Sequence, residues 1–580
     1  MYFLWSIIVT QPGFPLDDTW IHMVFARNIA SGSGFSFNPG VPISGATAPL
    51  WTLLLAPFWW LLGPIAGGII PGVILECLAL IAIYKLTPLL IGDNKLALFA
   101  ALAASLTWVI VWLGISGMEV GLYSALSIWG LYFYFKATSF DDRKNYIAYC
   151  MFVLAFLSRP ECGLFLAGAA IHDAVIWIRF RNKSLLPWLW RGAIVAMLLA
   201  PYIAFNYSTT GGLFPQTFTA KVADMGIFSA VAHKHALRVL KDLVTTPAYT
   251  AEDFWLKMLI LNPILILAII PGMIKLGRKN DEFRSKRIML MILLLLYAPL
   301  MGAISPMKNP FYHNMRRVAN LIPLIFIFGI GGLFYSNAVE KYKANRKFVI
   351  ALIITLIIGL ALWLRGEFFV ATLAPYLMRS AADVASHKWG PIADFIGNIG
   401  MGVTAISAAL IAGLMICQDS FREKIGALRF NNIFMGLAIA YATVLLIYGG
   451  DNYANSVKNI NECDVATGIY LKNIAKSGDL IAVNDIGAIK YFSNLEIFDL
   501  AGLISPEITT AMIADDSLTF DYMNLHKRPK YLAIFPSWFR YIPKRTDIFK
   551  PISMYIPERN TILGGDTAIV YEAFWPDTTR

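Results

Sequence analysis

Apolar runs separated by short polar connections fill the first 450 residues of the chain. A helix needs roughly 17–25 mostly apolar residues to cross a hydrocarbon core. Ile288–Ile304, Phe348–Leu364 and Ile433–Gly449 each read as such a segment. The pattern gives fourteen candidate segments: 1–14, 48–63, 66–88, 95–113, 117–136, 144–158, 162–178, 187–206, 254–276, 288–305, 318–336, 347–364, 400–417 and 430–449. From residue 451 the pattern changes. Ile481–Asn484 and Tyr531–Phe535 predict short buried strands, and Asp485-Ile486-Gly487 predicts a turn. The fold class expected is a polytopic α-helical membrane protein, residues 1–450, carrying a small C-terminal α/β domain, residues 451–580.

Charge orients this arrangement. The net charge is +11, but the basic residues gather in short connections: Arg143-Lys144, Arg179–Arg191, Lys275–Arg287, Lys341–Lys347 and Arg422–Arg429. That is the positive-inside pattern, so these loops are expected in the cytoplasm. The first loop (15–47), the large loop (207–253), the segments 306–317 and 365–399, and the tail then face outward. An inside N-terminus and an outside tail require an odd number of crossings, so one segment is re-entrant or two merge. Gly63-Pro64, Gly67-Gly68 and Pro71 interrupt the runs between 48 and 136 and point there. The expected total is about 13 spans.

Composition agrees: 57% of residues are hydrophobic and 15% charged, which excludes an ordinary soluble domain. The basic residues form no module with interleaved aromatics, so nucleic acid is not an expected partner. Five cysteines include no CxxC and no disulfide framework. The first run lacks the basic n-region and cleavage site of a signal peptide. It is short for a span, so either the given start is late or Pro12–Leu16 complete the helix.

Polar clusters recur at the expected outer ends of helices. They are Leu16-Asp17-Asp18-Thr19-Trp20-Ile21-His22, continuing through Arg27-Asn28 to Phe37-Asn38-Pro39-Gly40; Ser116-Gly117-Met118-Glu119; and Arg159-Pro160-Glu161. Further along come Gly211 to Lys221, with Leu213, Pro215, Thr217, Ala220 and Lys221, then His313 to Arg317, and in the tail Asp499 to Leu503. Ionisable groups at a membrane boundary are costly to hold and mark candidate sites. Taken in this order, the clusters resemble the GT-C superfamily of polytopic glycosyltransferases that use lipid-linked sugars. They are most similar to the mycobacterial terminal β-arabinofuranosyltransferase family. The likeness covers nearly the whole chain. The chain departs from that pattern in its shorter tail and in the doubled Arg316-Arg317.

The resemblance implies an inverting transfer of a sugar from a polyprenyl-monophosphate donor to a cell-envelope glycan, lipid or protein acceptor. It implies a site on the outer, extracytoplasmic face of the cytoplasmic membrane. Such chemistry needs a base for the acceptor hydroxyl and cations for the departing phosphate. Asp17 or Asp18 is the expected base, against the alternative that both merely cap the following helix. Lys221, His313, Arg316 and Arg317 are the expected phosphate ligands, against headgroup anchoring. Arg27, Asn28, Glu119, Arg159 and Glu161 are expected to bind substrate, with structural ion pairs as the alternative for Glu119, Arg159 and Glu161. His172-Asp173 reads as a satisfied buried pair. No cofactor is expected and no metal-ligand motif is present; a divalent cation held by Asp17 or Asp18 stays open. The competing function is a transporter or flippase of lipid-linked sugars, which would favour charges near helix centres and inverted repeats.

Overall fold

The computed structural model describes residues 1–179, 184–222, 236–304, 312–334, 427–508, 512–513 and 515–576. The segments expected at 347–364 and 400–417 lie outside the described residues.

Among those residues, four helices are long and apolar enough to cross a membrane: Pro49–Ile91, Pro160–Arg179, Leu186–Thr210 and Arg284–Ala303. Lys95–Ser105 and Trp108–Gly114 add a fifth if the pair, bent by 67°, is one crossing. The bend sits at Thr107, whose ψ of 115° leaves the helical region while its hydroxyl donates to Ala103 O at 2.8 Å.

Several expected segments differ in form. The run at 1–14 is an eight-residue helix, Tyr2–Val9. The runs at 48–63 and 66–88 belong to one stretch broken at Gly63, which has φ 74° and ψ −178°. Only glycine adopts that backbone readily, and Pro64 follows it. The run at 254–276 is divided at Asn262-Pro263 into Ala236–Leu261, Pro263–Leu267 and Ile269–Arg278. Pro263 lacks the N–H that would continue the helix, and Asn262 caps the new start by accepting from Leu265 N at 3.2 Å.

The helix Leu321–Phe334 is buried from Leu321 to Leu333 on every side, as befits a bundle centre. It packs on Ile269–Arg278 with backbones in near contact: a Cβ on Gly332 would fall 1.8 Å from Ala268 O. Small residues at such crossings let membrane helices approach closely.

The tail is a five-stranded mixed sheet with strands β1 (Leu480–Val483), β2 (Glu496–Asp499), β3 (Tyr531–Ile534), β4 (Phe549–Tyr555) and β5 (Ala568–Ala573), in the order β2-β1-β3-β5-β4. β1 runs parallel to β2 and β3, and β5 runs antiparallel to β3 and β4. The two expected strands are β1 and β3. β1 stops one residue early because Asn484 turns its side chain onto Phe535 N, accepting at 3.0 Å. β4 closes one edge with Pro551 and a register shift at Pro551/Ser553, devices that blunt an edge.

The tail does not stand apart. The helix Ala427–Ile460 runs unbroken through residue 451 into a π-turn, Asn461–Val465. One apolar cluster joins Ile21, Val24, Phe25, Phe37 and Ile43 of the first loop to Leu471, Ile481, Ile486, Ile489, Ile497 and Leu503 of the tail.

Candidate active site

The helix Asp17–Ala30 starts where Leu16 leaves extended backbone, φ −142° and ψ 135°. Both acids therefore lie in its first turn, where a negative charge is favourable. Consecutive helical residues point about 100° apart, and the two carboxylates find different partners. Asp17 accepts from Gly487 N at 2.8 Å and Ala488 N at 2.6 Å in the tail. Asp18 pairs with Arg316, Oδ2 to Nη2 2.6 Å.

One turn beyond Asp18, His22 reaches Thr52 Oγ1 at 2.8 Å, with Nε2 3.8 Å from Glu119 Oε2. Burial pushes its imidazole down to about 4 despite the Glu119 and Asp18 charges, so it is neutral at pH 7. The turn carrying Glu119 is tied to this helix and its neighbour. Thr19 Oγ1 donates to Ser116 O at 2.8 Å and Trp51 Nε1 to Gly117 O at 3.0 Å.

Glu119 is fully buried and bound by the Arg159 guanidinium. Arg159 is the extended residue (φ −157°) that ends the helix Arg143–Ser158, and Pro160 opens the next turn. That kink returns Glu161 to Arg159, with Nε to Oε2 3.3 Å. Arg317 Nε lies 3.6 Å from Glu161 Oε1, and the Arg316 carbonyl accepts from the buried Tyr123 hydroxyl. Burial pulls the Arg317 guanidinium down to about 10, against the pull of Glu161; it stays charged.

Three carboxylates (Asp18, Glu119, Glu161) thus face three guanidiniums (Arg159, Arg316, Arg317). Among the described residues, Glu119 Oε2 and Arg316 Nη1 are buried without a hydrogen-bond partner. A small cavity is lined by Asp18, His22, Glu119, Arg159 and Arg316 together with Gly45, Thr217 and Leu503. The segments carrying Thr217 and Leu503 are themselves braced. Gln216 donates to Gly502 O at 2.9 Å, and Asp499 accepts from Leu503 N and Ile504 N at 2.5 and 3.0 Å.

Of the residues singled out in the sequence, Asp18, Glu119, Arg159, Glu161, Arg316 and Arg317 meet in this cluster. Asp17 turns to the tail. Arg27 donates to Tyr491 O and Asn494 Oδ1 in the tail at 3.1 and 3.2 Å. Asn28 holds the first loop by donating to Ser36 O and Phe37 O at 2.9 and 3.0 Å. The backbones of Lys221 and His313 lie in the helices Gln216–Val222 and Tyr312–Met315, but their side chains lie outside the described residues. His22 and Tyr123 join the cluster without having been singled out; each sits four residues past an acid of the cluster, the spacing that shares a helix face. His172 and Asp173 are joined through Tyr134, whose Oη lies 2.7 Å from both His172 Nδ1 and Asp173 Oδ1. The expected satisfied pair is incomplete, because His172 Nε2 is buried without a hydrogen-bond partner among the described residues.

No group of three or more His, Cys, Asp or Glu among the described residues is arranged to hold a metal ion. A cation shared by Asp17 and Asp18 would compete with the Gly487 and Ala488 N–H groups and with Arg316. Behind Asp17, Asp464 and Asp485 line a narrow cleft with Asn484 and Phe535. Burial raises both carboxyls well above the ordinary range, and brings Asp17 up to about 6.

Comparison with known proteins identifies structures that share the fold. Superposed on ArnT from Cupriavidus metallidurans bound to undecaprenyl phosphate, the chain gives a TM-score of 0.54 at 12% identity, covering 98% of this chain and 96% of that one. The apo state of ArnT gives 0.53 at 12% identity, with 98% and 95% covered. Archaeoglobus fulgidus oligosaccharyltransferase in the apo form gives only 0.42 at 14% identity, with 99% and 74% covered, too weak to carry an argument. Residues 48–205 match the family described as dolichyl-phosphate-mannose-protein mannosyltransferase, and residues 452–572 match a domain of unknown function, DUF8728. No curated protein sequence matches the chain. The chain therefore shares the fold of ArnT.

Proposed function

We propose that the chain is a membrane glycosyltransferase that moves a sugar from a polyprenyl-phosphate carrier to an acceptor hydroxyl of an envelope glycan, lipid or protein, on the outer face of the membrane. The observation that carries this reading is the Asp18–Arg316 pair facing a cavity lined by Glu119 and Arg159. In this reading the acid serves as the base and the neighbouring guanidinium as the phosphate-binding cation.

In this reading the donor phosphate draws Arg316 from Asp18, and Arg317 and Lys221 add positive charge. Asp18 then takes the acceptor proton as the acceptor oxygen bonds to C1 of the sugar. The C1–O bond to phosphate breaks, the electron pair leaves with the phosphate, and the guanidiniums stabilise it. One displacement without a protein nucleophile inverts the anomeric centre. His22, neutral and fixed by Thr52, borders the pocket without adding charge. The motif order does not specify the sugar, and the family matched over 48–205 favours a hexosyl donor over a pentosyl one.

The test is purified full-length chain incubated with mannosyl- and arabinofuranosyl-phosphopolyprenols and an envelope-glycan acceptor, with the product linkage read by NMR. Transfer with inversion is expected from one of them. Failure both to transfer and to bind either donor would sink the reading.

A further inference from the structure

The cavity does not account for Asp17 and Arg27, whose side chains both engage one short tail helix, Gly487–Ser493. At one end Asp17 accepts from Gly487 N and Ala488 N, at 2.8 and 2.6 Å. At the other, Arg27 donates to Tyr491 O at 3.1 Å and to Asn494 Oδ1 at 3.2 Å, and its guanidinium carbon lies 4.9 Å from the Tyr491 ring centre. First-turn N–H and last-turn C=O groups are those a helix cannot satisfy by itself. The two helices therefore run side by side in the same direction. Charged side chains near both ends of the Asp17 helix pin it to the backbone of the tail helix.

Between the pins, Ile21 and Val24 share a core with Ile486 and Ile489. Lys490 adds a third tie, donating to Asn38 Oδ1 of the first loop at 3.0 Å. The closest approach is at Gly487, where a Cβ would fall 2.2 Å from the Asp17 carbonyl oxygen. That oxygen is backbone, so a side chain at 487 cannot be met by rotating a neighbour. The helix or the tail has to move.

We propose that Asp17, Arg27 and Gly487 are positioning residues: through them the tail sets the rotation and height of the Asp17–Ala30 helix and so keeps Asp18 against Arg316 inside the cavity. This rests on the glycosyl-transfer reading of the site. The geometry makes it specific. Asp17 and Asp18 are adjacent, so whatever fixes the direction of one fixes the other, about 100° around the helix. The tail binds the first carboxylate; the second is thereby aimed at the reacting atoms. In this view the two acids divide their work, one holding and one reacting.

The test uses the full-length chain in detergent. Gly487→Ala adds one methyl group outside the cavity. It is expected to lower turnover about 10–100-fold, the scale of a misplacement near 1 Å, while binding of a short-chain polyprenyl phosphate stays near the parent. Asp17→Ala and Arg27→Ala are expected to act in the same direction. Asp17→Asn keeps one acceptor oxygen for the two tail N–H groups, sets its NH2 against the other, and recovers only part of the turnover that Asp17→Ala loses. Hydrogen exchange supplies a readout independent of activity: the amides of 18–30 exchange faster in Gly487→Ala and Asp17→Ala, and at an intermediate rate in Asp17→Asn. Parent-like exchange in Gly487→Ala overturns the proposal, as does faster exchange with unchanged turnover. A parent that neither transfers nor binds polyprenyl phosphate defeats the functional reading instead, and the exchange pattern still decides the clasp.

Discussion

Asp18 and Arg316 meet at 2.6 Å, the acid from the first turn of the first-loop helix and the arginine from the turn leading into the buried helix Leu321–Phe334. In the proposed reaction this pair would hold the base and the phosphate cation in a mutually neutralised state. Asp18→Asn is expected to lower turnover by at least about 100-fold, the usual contribution of a general base, with the amount of folded protein in the membrane unchanged. Near-parent turnover in this variant would remove Asp18 from the role.

Arg316→Gln removes the other half. A preorganised donor to a departing charge contributes about 2–4 kcal/mol to transition-state stabilisation, so kcat/KM for a soluble short-chain donor is expected to fall accordingly. Arg316→Lys is expected to rescue poorly, because a point charge cannot reproduce the planar fork. If Arg316→Gln, Arg317→Gln and Lys221→Met all stay within about threefold of the parent, the phosphate is held elsewhere.

The Glu119–Arg159 pair is almost wholly buried, with side-chain exposures of 0% and 2%. Removing one partner strands the other charge, at a typical cost of about 3–5 kcal/mol. Glu119→Ala is therefore expected to destabilise the detergent-solubilised chain more than Glu119→Gln, which keeps an acceptor oxygen for the Arg159 guanidinium while Glu161 still faces it. Thermal unfolding of the variants side by side measures this, and equal melting temperatures for the two would contradict it.

Acid is expected to tighten the docking of the tail. Asp17 is raised from 3.8 to about 6 by burial, and Asp464 and Asp485 are raised by burial and by the neighbouring carboxylates, including Asp17 and, for Asp485, Asp18 and Asp499. A carboxyl whose folded value is raised binds its proton more tightly in the folded state. Its contribution to stability therefore grows as pH falls through about 6 toward 3.8. The melting temperature should rise between pH 7.5 and pH 5, and Asp464→Asn should flatten the rise. A lower melting temperature at pH 5, with no flattening in the variant, would count against it.

Orientation is checked by labelling. In a cysteine-free background, Ser208→Cys is expected to react with a membrane-impermeant thiol reagent in intact cells and Asn280→Cys is not, following the basic loops. The reverse pattern would put the site in the cytosol.

Much of the architecture was legible because its signals are local. Apolar runs, basic loops, the glycine–proline break at Gly63-Pro64 and the strands β1 and β3 can each be read within a few residues. The order of the polar clusters reads as one site; Asp18, Glu119, Arg159, Glu161, Arg316 and Arg317 meet, whereas Asp17, Arg27 and Asn28 of the same reading find other partners. What sequence could not supply was direction. Asp17 and Asp18 look equivalent in a line of letters, yet their fates differ because the tail reaches one and Arg316 the other. Arg27 looked like a substrate ligand for the same reason: its partner, Tyr491, lies on an element that only the folded chain brings near. The division of 254–276 at Asn262-Pro263 was readable in principle, but an apolar run around a proline also fits a kinked crossing.

The apolar cluster that joins Ile21, Val24 and Phe25 to Ile486, Ile489 and Ile497 bears on how this protein can be taken apart. Each such side chain contributes about 1.5–3 kcal/mol when withdrawn from water, and here the withdrawal is completed across the seam. Residues 452–572, cut out and expressed alone, would present a bare oily face where the first loop had been. The tail is consequently not a portable module. It needs a surrogate for the Asp17 helix, fused or supplied as a peptide, before it can be handled as a soluble piece.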